Sequence, residues 1–187
     1  MTPLAALWLP ILLSAVFVFV ASSVIHMALP IHKGDFKKLP DEDKLGAAVR
    51  AAGVEPGSYM FPCAGSMQEM SSPEMIAKLE LGPVGTMIVR RPGGFGLGRS
   101  LLLWFVFSLI VGAVSGYLAG IGHGPGAGGM TVFRVTGAAA MLGYCTSSLN
   151  EWMWKGLGTA VMVKFVVDGV IYGLVTAATF AWLWPTA

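Results

Sequence analysis

The segment YMFPCAGSMQEM concentrates sulfur, since it holds one of the two cysteines and three of the eleven methionines. Cys63, Met67 and Met70 are spaced by four and three residues, which places them on one face if the segment is helical. Thiolate and thioether groups are the ligands that Cu(I) prefers. Pro62 and Gly65 disfavour a helix that begins before Cys63, and methionine is a common filler of irregular apolar surfaces. We favour packing between an insert and the bilayer, with a soft-metal site or a reactive thiol as alternatives.

The chain has three histidines, and none has an evident chemical role. A haem between two helices needs facing histidines at matched depth, whereas His26 and His123 are expected at opposite membrane surfaces. A metal site that uses His26 and His32 lacks an evident third ligand. We therefore interpret His26 as a satisfied polar residue near a helix end and expect no cofactor.

Three charged residues fall within otherwise apolar stretches: Arg134, Lys164 and Asp168. A charge at bilayer depth costs at least about 2.5–3.5 kcal/mol, so each is expected to face the bundle interior with a partner. Lys164 and Asp168 are four residues apart and share a helical face. The favoured interpretation is a structural ion pair; the alternative is a proton or ion relay, or a site for a charged substrate.

The segment GGFGLGRS, residues 93–100, approaches the spacing of a phosphate-binding loop, but Arg99 stands where lysine is required. The helix that follows is an apolar membrane span, and no acidic residue at the end of a hydrophobic strand is available for magnesium. A glycine linker with Arg99 at the lipid headgroups is the favoured interpretation.

Composition identifies a membrane protein, because 55% of the 187 residues are hydrophobic, only 12% are charged and the mean hydropathy is +0.71. A span needs about 20 apolar residues. Four stretches meet this length: residues 4–29, 100–121, 131–149 and 157–184. The third of them is the least apolar. The expected fold class is an all-α membrane protein with four transmembrane helices.

Residues 31–99, between the first two spans, are expected to form a small α+β insert. The pattern LPDEDKLGAAVRAAG predicts a capped helix that stops at Gly53, and SSPEMIAKLELG predicts another with Ser72 as N-cap and Gly82 as stop. Extended segments follow at residues 57–61 and 86–89. With its LPDED…FPCAGSM insert the chain resembles uncharacterised bacterial integral membrane proteins, and this resemblance implies no function.

The basic residues predict the orientation. Nine of the twelve lie in residues 31–99, and Lys155 lies between the third and fourth spans. By the positive-inside rule both segments are cytoplasmic and both termini lie outside, in a bacterial inner membrane.

Glycines repeat at four-residue spacing in two spans, a pattern that allows helices to approach closely. They are Gly112, Gly116 and Gly120 in the second span, and Gly169 and Gly173 in the fourth. Their number favours at least one contact with another subunit.

No catalytic constellation emerges from the sequence, so an enzyme is not expected. We expect a non-catalytic accessory or scaffold protein that docks on a larger membrane complex or associates with itself, with partners in the bilayer and not among nucleic acids. The alternative is a small ion or solute permeation protein that uses Asp168, Lys164 and Arg134. A soft-metal or thiol role for Cys63 and its neighbouring methionines is third.

Overall fold

The computed structural model describes residues 1–94 and 96–186. Helix α1 (Trp8–Ser23) is preceded by a 3-10 turn (Leu4–Leu7) and continued by a π-helical turn (Val24–Ala28). After a 3-10 turn (Pro30–His32) the remaining elements are α2 (Glu42–Ala51), β1 (Gly57–Phe61), α3 (Met67–Met70), α4 (Pro73–Leu81), β2 (Gly85–Val89), α5 (Leu97–Gly122), α6 (Gly129–Lys155) and α7 (Thr159–Leu183). The chain divides into two compact units.

Three helices are long and apolar enough to cross a membrane. They are Leu4–Ala28, Leu97–Gly122 and Thr159–Leu183, and they coincide closely with the first, second and fourth predicted spans. The third predicted span, 131–149, lies within α6, which is longer than predicted at 27 residues. Because α6 also carries Arg134, Glu151 and Lys155, it is less apolar than the other three, and a fourth span is not established by length and composition.

The first unit comprises residues 1–35, 96–152 and 157–186 and contains these long helices. Its interior has two apolar clusters. One is built around Tyr144 and Tyr172, with Val18 and Val111; the other is built around Phe180 and Leu7. At the end of the bundle near Phe180, Thr2 N donates to Gly120 O at 3.0 Å. This end of the bundle is therefore closed by apolar packing and by hydrogen bonds to the N-terminal segment.

The repeated glycines are points of close approach within this unit. A Cβ added at Gly116 would lie 2.8 Å from Phe180, and one added at Gly169 would lie 2.6 Å from the Cys145 sulfur. Gly112 faces Ser14, Gly120 faces Thr2 and Gly173 faces Met141. Contacts inside one chain thus account for these glycines, and they give no separate argument for a contact between subunits.

The second unit comprises residues 36–94 and 153–156. Its strands β1 and β2 pair antiparallel, with Gly57 opposite Val89 and Phe61 opposite Gly85. The two predicted helices form. Asp41 Oδ1 accepts from Lys44 N at 2.9 Å and caps the first, and Ser72, the predicted N-cap of the second, accepts from Met75 N at 3.2 Å through Oγ. The short helix α3 between them was not predicted.

Candidate functional site

His26 lies in the widened turn that ends the first long apolar helix. In this turn Leu29 N donates to Val24 O at 3.1 Å, which spans five residues instead of the four of an α-helix. π-Helical turns are rare in proteins as a whole, and a large share of those that occur lie at functional sites. The turn leaves the His26 side chain 39% exposed, with its Nε2 directed to a carboxylate of the last helix.

His32 and Asp35 are brought together by a tight turn just after this helix. Pro30 begins a 3-10 turn that ends at His32, and Asp35 N then donates to His32 O at 3.2 Å. Gly34 lies between them with φ of +93°, a conformation that other residues rarely adopt. As a result Asp35 Oδ2 lies 2.7 Å from His32 Nδ1.

Asp168, in the third turn of α7, completes the cluster. Its Oδ2 lies 2.9 Å from His32 Nε2 and 3.6 Å from His26 Nε2. The Asp168 side chain is only 6% exposed. The two imidazole rings stack, with their centroids 4.2 Å apart and their planes inclined by 28°. One carboxylate oxygen therefore faces two ring nitrogens from the opposite end of the sequence.

Lys164, one turn before Asp168, contacts the other oxygen of Asp35. Lys164 Nζ donates to Asp35 Oδ1 at 2.5 Å, so Asp35 is held between an ammonium and an imidazole. The hydrogen bond from Lys164, followed by that from His32, lowers the pKa of Asp35 below its usual value. An ionised Asp35 only accepts hydrogen bonds, so His32 Nδ1 carries a proton, and in the neutral ring Nε2 is then the nitrogen with the lone pair.

The contact between His32 Nε2 and Asp168 Oδ2 is unusual because it is short without being a hydrogen bond. Both atoms are buried, and neither finds a hydrogen-bond partner among the residues that the structure describes. With a neutral His32 ring whose Nδ1 carries the proton, two acceptors would face and repel each other here, and a buried carboxylate oxygen without a partner is costly. The arrangement is favourable when a proton or a metal ion lies between the two lone pairs.

A cavity of about 480 Å³ opens beside the cluster, within the same unit. His26 and Asp168 contribute to its wall, together with Ser22, Trp104 and Tyr172. Trp104 Nε1 donates to Ser22 Oγ at 2.9 Å, which fixes one side of the cavity. The Tyr172 hydroxyl is buried and, within the described residues, has no partner. A mostly apolar wall with a few polar groups is typical of small-molecule sites.

The structure separates the three charged residues that we singled out from the sequence. Lys164 contacts Asp35, whereas the short contacts of Asp168 are to the two histidines. Arg134 is exposed. The expected pair between Lys164 and Asp168 is thus replaced by two linked contacts that involve Asp35, a residue not considered among the candidates.

The sulfur-containing residues lie in the second unit and are exposed. Cys63 is a free, exposed cysteine that precedes α3, and Met67 and Met70 lie at the two ends of that helix. Met67 is 81% exposed.

In residues 93–100, α5 begins at Leu97, and Phe95 lies outside the described residues.

Sequence reasoning missed the cluster because its third member is remote. The six-residue spacing of His26 and His32 is visible in the sequence, but Asp168, the third candidate metal ligand of the cluster, does not lie near them along the chain. Within the described part of the chain, His26, His32 and Asp168 form the one group of three such residues whose ligand atoms lie within 4.8 Å of one another.

Comparison of the chain with protein-family models, with curated proteins and with solved structures finds no match.

Proposed function

We propose that the chain is a four-span protein of a bacterial inner membrane, with α6 as the additional span. The length of α6, 27 residues, supports this, since about 20 residues cross the hydrocarbon core. At the end where α5 stops and α6 begins, Gly126 N donates to Pro185 O at 2.8 Å, as expected when the helices run alternately up and down. Residues 36–94, with most of the basic side chains, then lie in the cytoplasm and both termini lie outside.

Thiol labelling on intact cells tests this orientation, because Cys63 is exposed. A membrane-impermeant maleimide is expected to label Cys63 only after the cells are permeabilised. A Cys63→Ser variant controls for reaction at Cys145, which is partly buried. Labelling of Cys63 in intact cells would reverse the orientation.

Within this membrane protein, we infer that the cluster on α1 and α7 binds a small cation. The observation that carries the proposal is the buried Asp168 Oδ2, which lies 2.9 Å from His32 Nε2 while neither atom has a hydrogen-bond partner among the described residues. The formal charge of the cluster also favours a cation. Asp35 and Asp168 contribute two negative charges and Lys164 contributes one positive charge. With both imidazoles neutral, one negative charge is left without a partner. An ionisable residue in a membrane span is by default a candidate functional site.

Binding is better supported than permeation. The far half of the bundle is closed by a buried apolar cluster that includes Leu7, Val132 and Phe180. An ion that reaches Asp168 meets no further charged side chain in that cluster, whose members are all apolar. A flux assay in liposomes separates the two functions: we expect wild-type protein to bind a cation without conducting it, and flux that is lost in Asp168→Asn would favour permeation.

Thermal unfolding of the full chain in a mild detergent tests cation binding directly. Potassium, calcium, zinc and a small organic ammonium ion would each be added to protein stripped with a chelator. A cation that binds only the folded state at 100 times its Kd stabilises it by about 2.7 kcal/mol. At least one cation should raise the Tm of wild type and of His123→Gln but not of Asp168→Asn. If none does so, the proposal is wrong.

An accessory role in a membrane complex is a second candidate, and the surface of the second unit favours it. Several of its large apolar side chains are strongly exposed, among them Phe36, Met67, Leu81 and Ile88. Where such side chains form one continuous patch, they mark a surface that contacts a protein or a membrane. Replacement of Phe36 and Leu81 by aspartate should release a protein partner that co-purifies with wild type, while the cation-binding test remains unaffected.

A further inference from the structure

We propose that the cation is a first-row divalent transition metal ion of the zinc class, bound by His26 Nε2, His32 Nε2 and Asp168 Oδ2. This inference rests on the proposed cation-binding function and specifies its ligand. Imidazole nitrogen suits zinc, copper, iron and nickel, whereas magnesium and calcium prefer oxygen donors alone. Two nitrogens and one carboxylate oxygen form a donor set that discriminates against alkali and alkaline-earth ions.

The separations between the donor atoms fit one ion. Zinc lies about 2.0–2.2 Å from nitrogen and oxygen ligands, so two ligands in a tetrahedral site are roughly 3.4 Å apart. The separations in the structure are 2.9 Å for His32 Nε2 to Asp168 Oδ2 and 3.6 Å for His26 Nε2 to Asp168 Oδ2. They lie on either side of that value. His26 Nε2 and His32 Nε2 lie within 4.8 Å of each other. Because the two rings stack, at least one of them must turn for both nitrogen lone pairs to reach one ion.

Asp35 supplies the support that a metal-binding histidine usually has. A histidine ligand commonly donates its second ring N–H to a carboxylate, which fixes the tautomer and makes the ligating nitrogen more basic. His32 does this through Nδ1 and Asp35 Oδ2 at 2.7 Å. Asp35 is in turn held by Lys164 through its other oxygen. Asp35 is thus a positioning residue, and Lys164 offsets its charge.

The site leaves room for a further ligand. Three protein ligands with one open position are typical of zinc sites that exchange a water or bind a substrate, while closed structural sites use four. His26 and Asp168 both line the cavity, so the open position faces it. The mostly apolar wall and the Tyr172 hydroxyl, which has no partner in the described part of the chain, suit a molecule with an apolar body and one donor group for the metal.

Titration of the full chain with Co²⁺ and Zn²⁺, after purification in mild detergent and removal of metals with a chelator, tests the proposal. Co²⁺ should bind in a 1:1 ratio and give the intense visible absorption of a four- or five-coordinate ion, and an equivalent of Zn²⁺ should remove it. His26→Gln, His32→Gln and Asp168→Asn should each abolish the spectrum. Asp35→Asn should retain the site with about 10–100-fold weaker Zn²⁺ affinity.

His123→Gln is the matched control, because His123 lies at the far end of α5 and its ring Nδ1 contacts Ala119 O at 2.9 Å. It should bind both metals as wild type does. An unchanged Co²⁺ spectrum in Asp168→Asn would overturn the assignment of ligands. Absence of the spectrum from folded wild type would overturn the metal proposal whatever the variants do. If an organic ammonium ion or potassium still raises the Tm in an Asp168-dependent manner, cation binding survives and only the metal identity fails.

Discussion

Lys164 Nζ lies 2.5 Å from Asp35 Oδ1, which ties the last long helix to the turn that carries His32. The contact connects residues from opposite ends of the sequence. Because Asp35 also accepts from His32 Nδ1, a single carboxylate fixes both the path of the turn and the orientation of the ring. The stability of this region and the geometry of the proposed metal site are therefore expected to change together.

Removal of the ammonium should show this coupling. Lys164→Met leaves Asp35 without its positive partner, so we expect a lower Tm and a broader Co²⁺ spectrum. The double variant Lys164→Met/Asp35→Asn removes both charges and should recover part of the lost Tm. Thermal unfolding and Co²⁺ titration of the two single variants and the double variant check this. Strictly additive losses would show that the two residues do not act as a pair.

Gly34 should be a sensitive position although it makes no side-chain contact. Its φ of +93° is strained for any other residue, so Gly34→Ala is expected to cost about 1–2 kcal/mol. If the turn relaxes instead, Asp35 moves away from His32 and Zn²⁺ affinity falls. The matched control is Gly98→Ala, since Gly98 lies in α5 with open space at its Cβ position. Zn²⁺ titration and unfolding of both variants decide the point; equal effects would refute the role of the turn.

Gly169 should not tolerate even a methyl group. An added Cβ would lie 2.6 Å from Cys145 Sγ and 3.1 Å from the Tyr144 carbonyl carbon, so Gly169→Ala forces α6 and α7 apart. Overpacking of this kind costs about 1–3 kcal/mol. Gly122→Ala, where the added Cβ has no neighbour within 4 Å, serves as the control. Thermal unfolding in detergent should give a lower Tm for the first variant only, and a neutral Gly169→Ala would contradict the close approach.

Cys63 should be dispensable for zinc binding. It lies in the second unit, is exposed and precedes the short helix α3, whereas the three proposed ligands belong to the first unit. Cys63→Ser should keep the Zn²⁺ stoichiometry and affinity of wild type. A calorimetric titration measures both. Loss of one zinc equivalent in this variant would restore the sulfur-containing segment as a metal site.

The three long apolar helices and the small helices of the insert were predictable because their signals are local. The apolar run of residues 4–29, the cap at Ser72 and the stop at Gly82 each depend on neighbours within a few residues, and the structure has all three. The α3 turn was less visible, because Pro62 and Gly65 obscured a helix of only four residues. It begins after Ser66, whose Oγ accepts from Glu69 N at 3.1 Å.

The candidate site was not predictable in the same way, because it depends on contacts that no local pattern encodes. Asp168 was recognised as costly in a membrane, and its nearest charged neighbour in sequence, Lys164, was the natural partner. The turn at Gly34 changes this pairing, since it brings Asp35 to Lys164 and His32 to Asp168. The sequence identified the residues with unusual requirements, and the tertiary fold decides which of them meet.

The order of the ligands along the chain has a consequence for biosynthesis. His26 and His32 leave the ribosome early, and Asp168 follows only after α5 and α6 have been made. An ion cannot be held by all three until the last helix has been made and has packed against the first. Loading of the metal would then report that insertion is complete, and a nascent chain that stalls before α7 would carry two histidines without the carboxylate that completes the set.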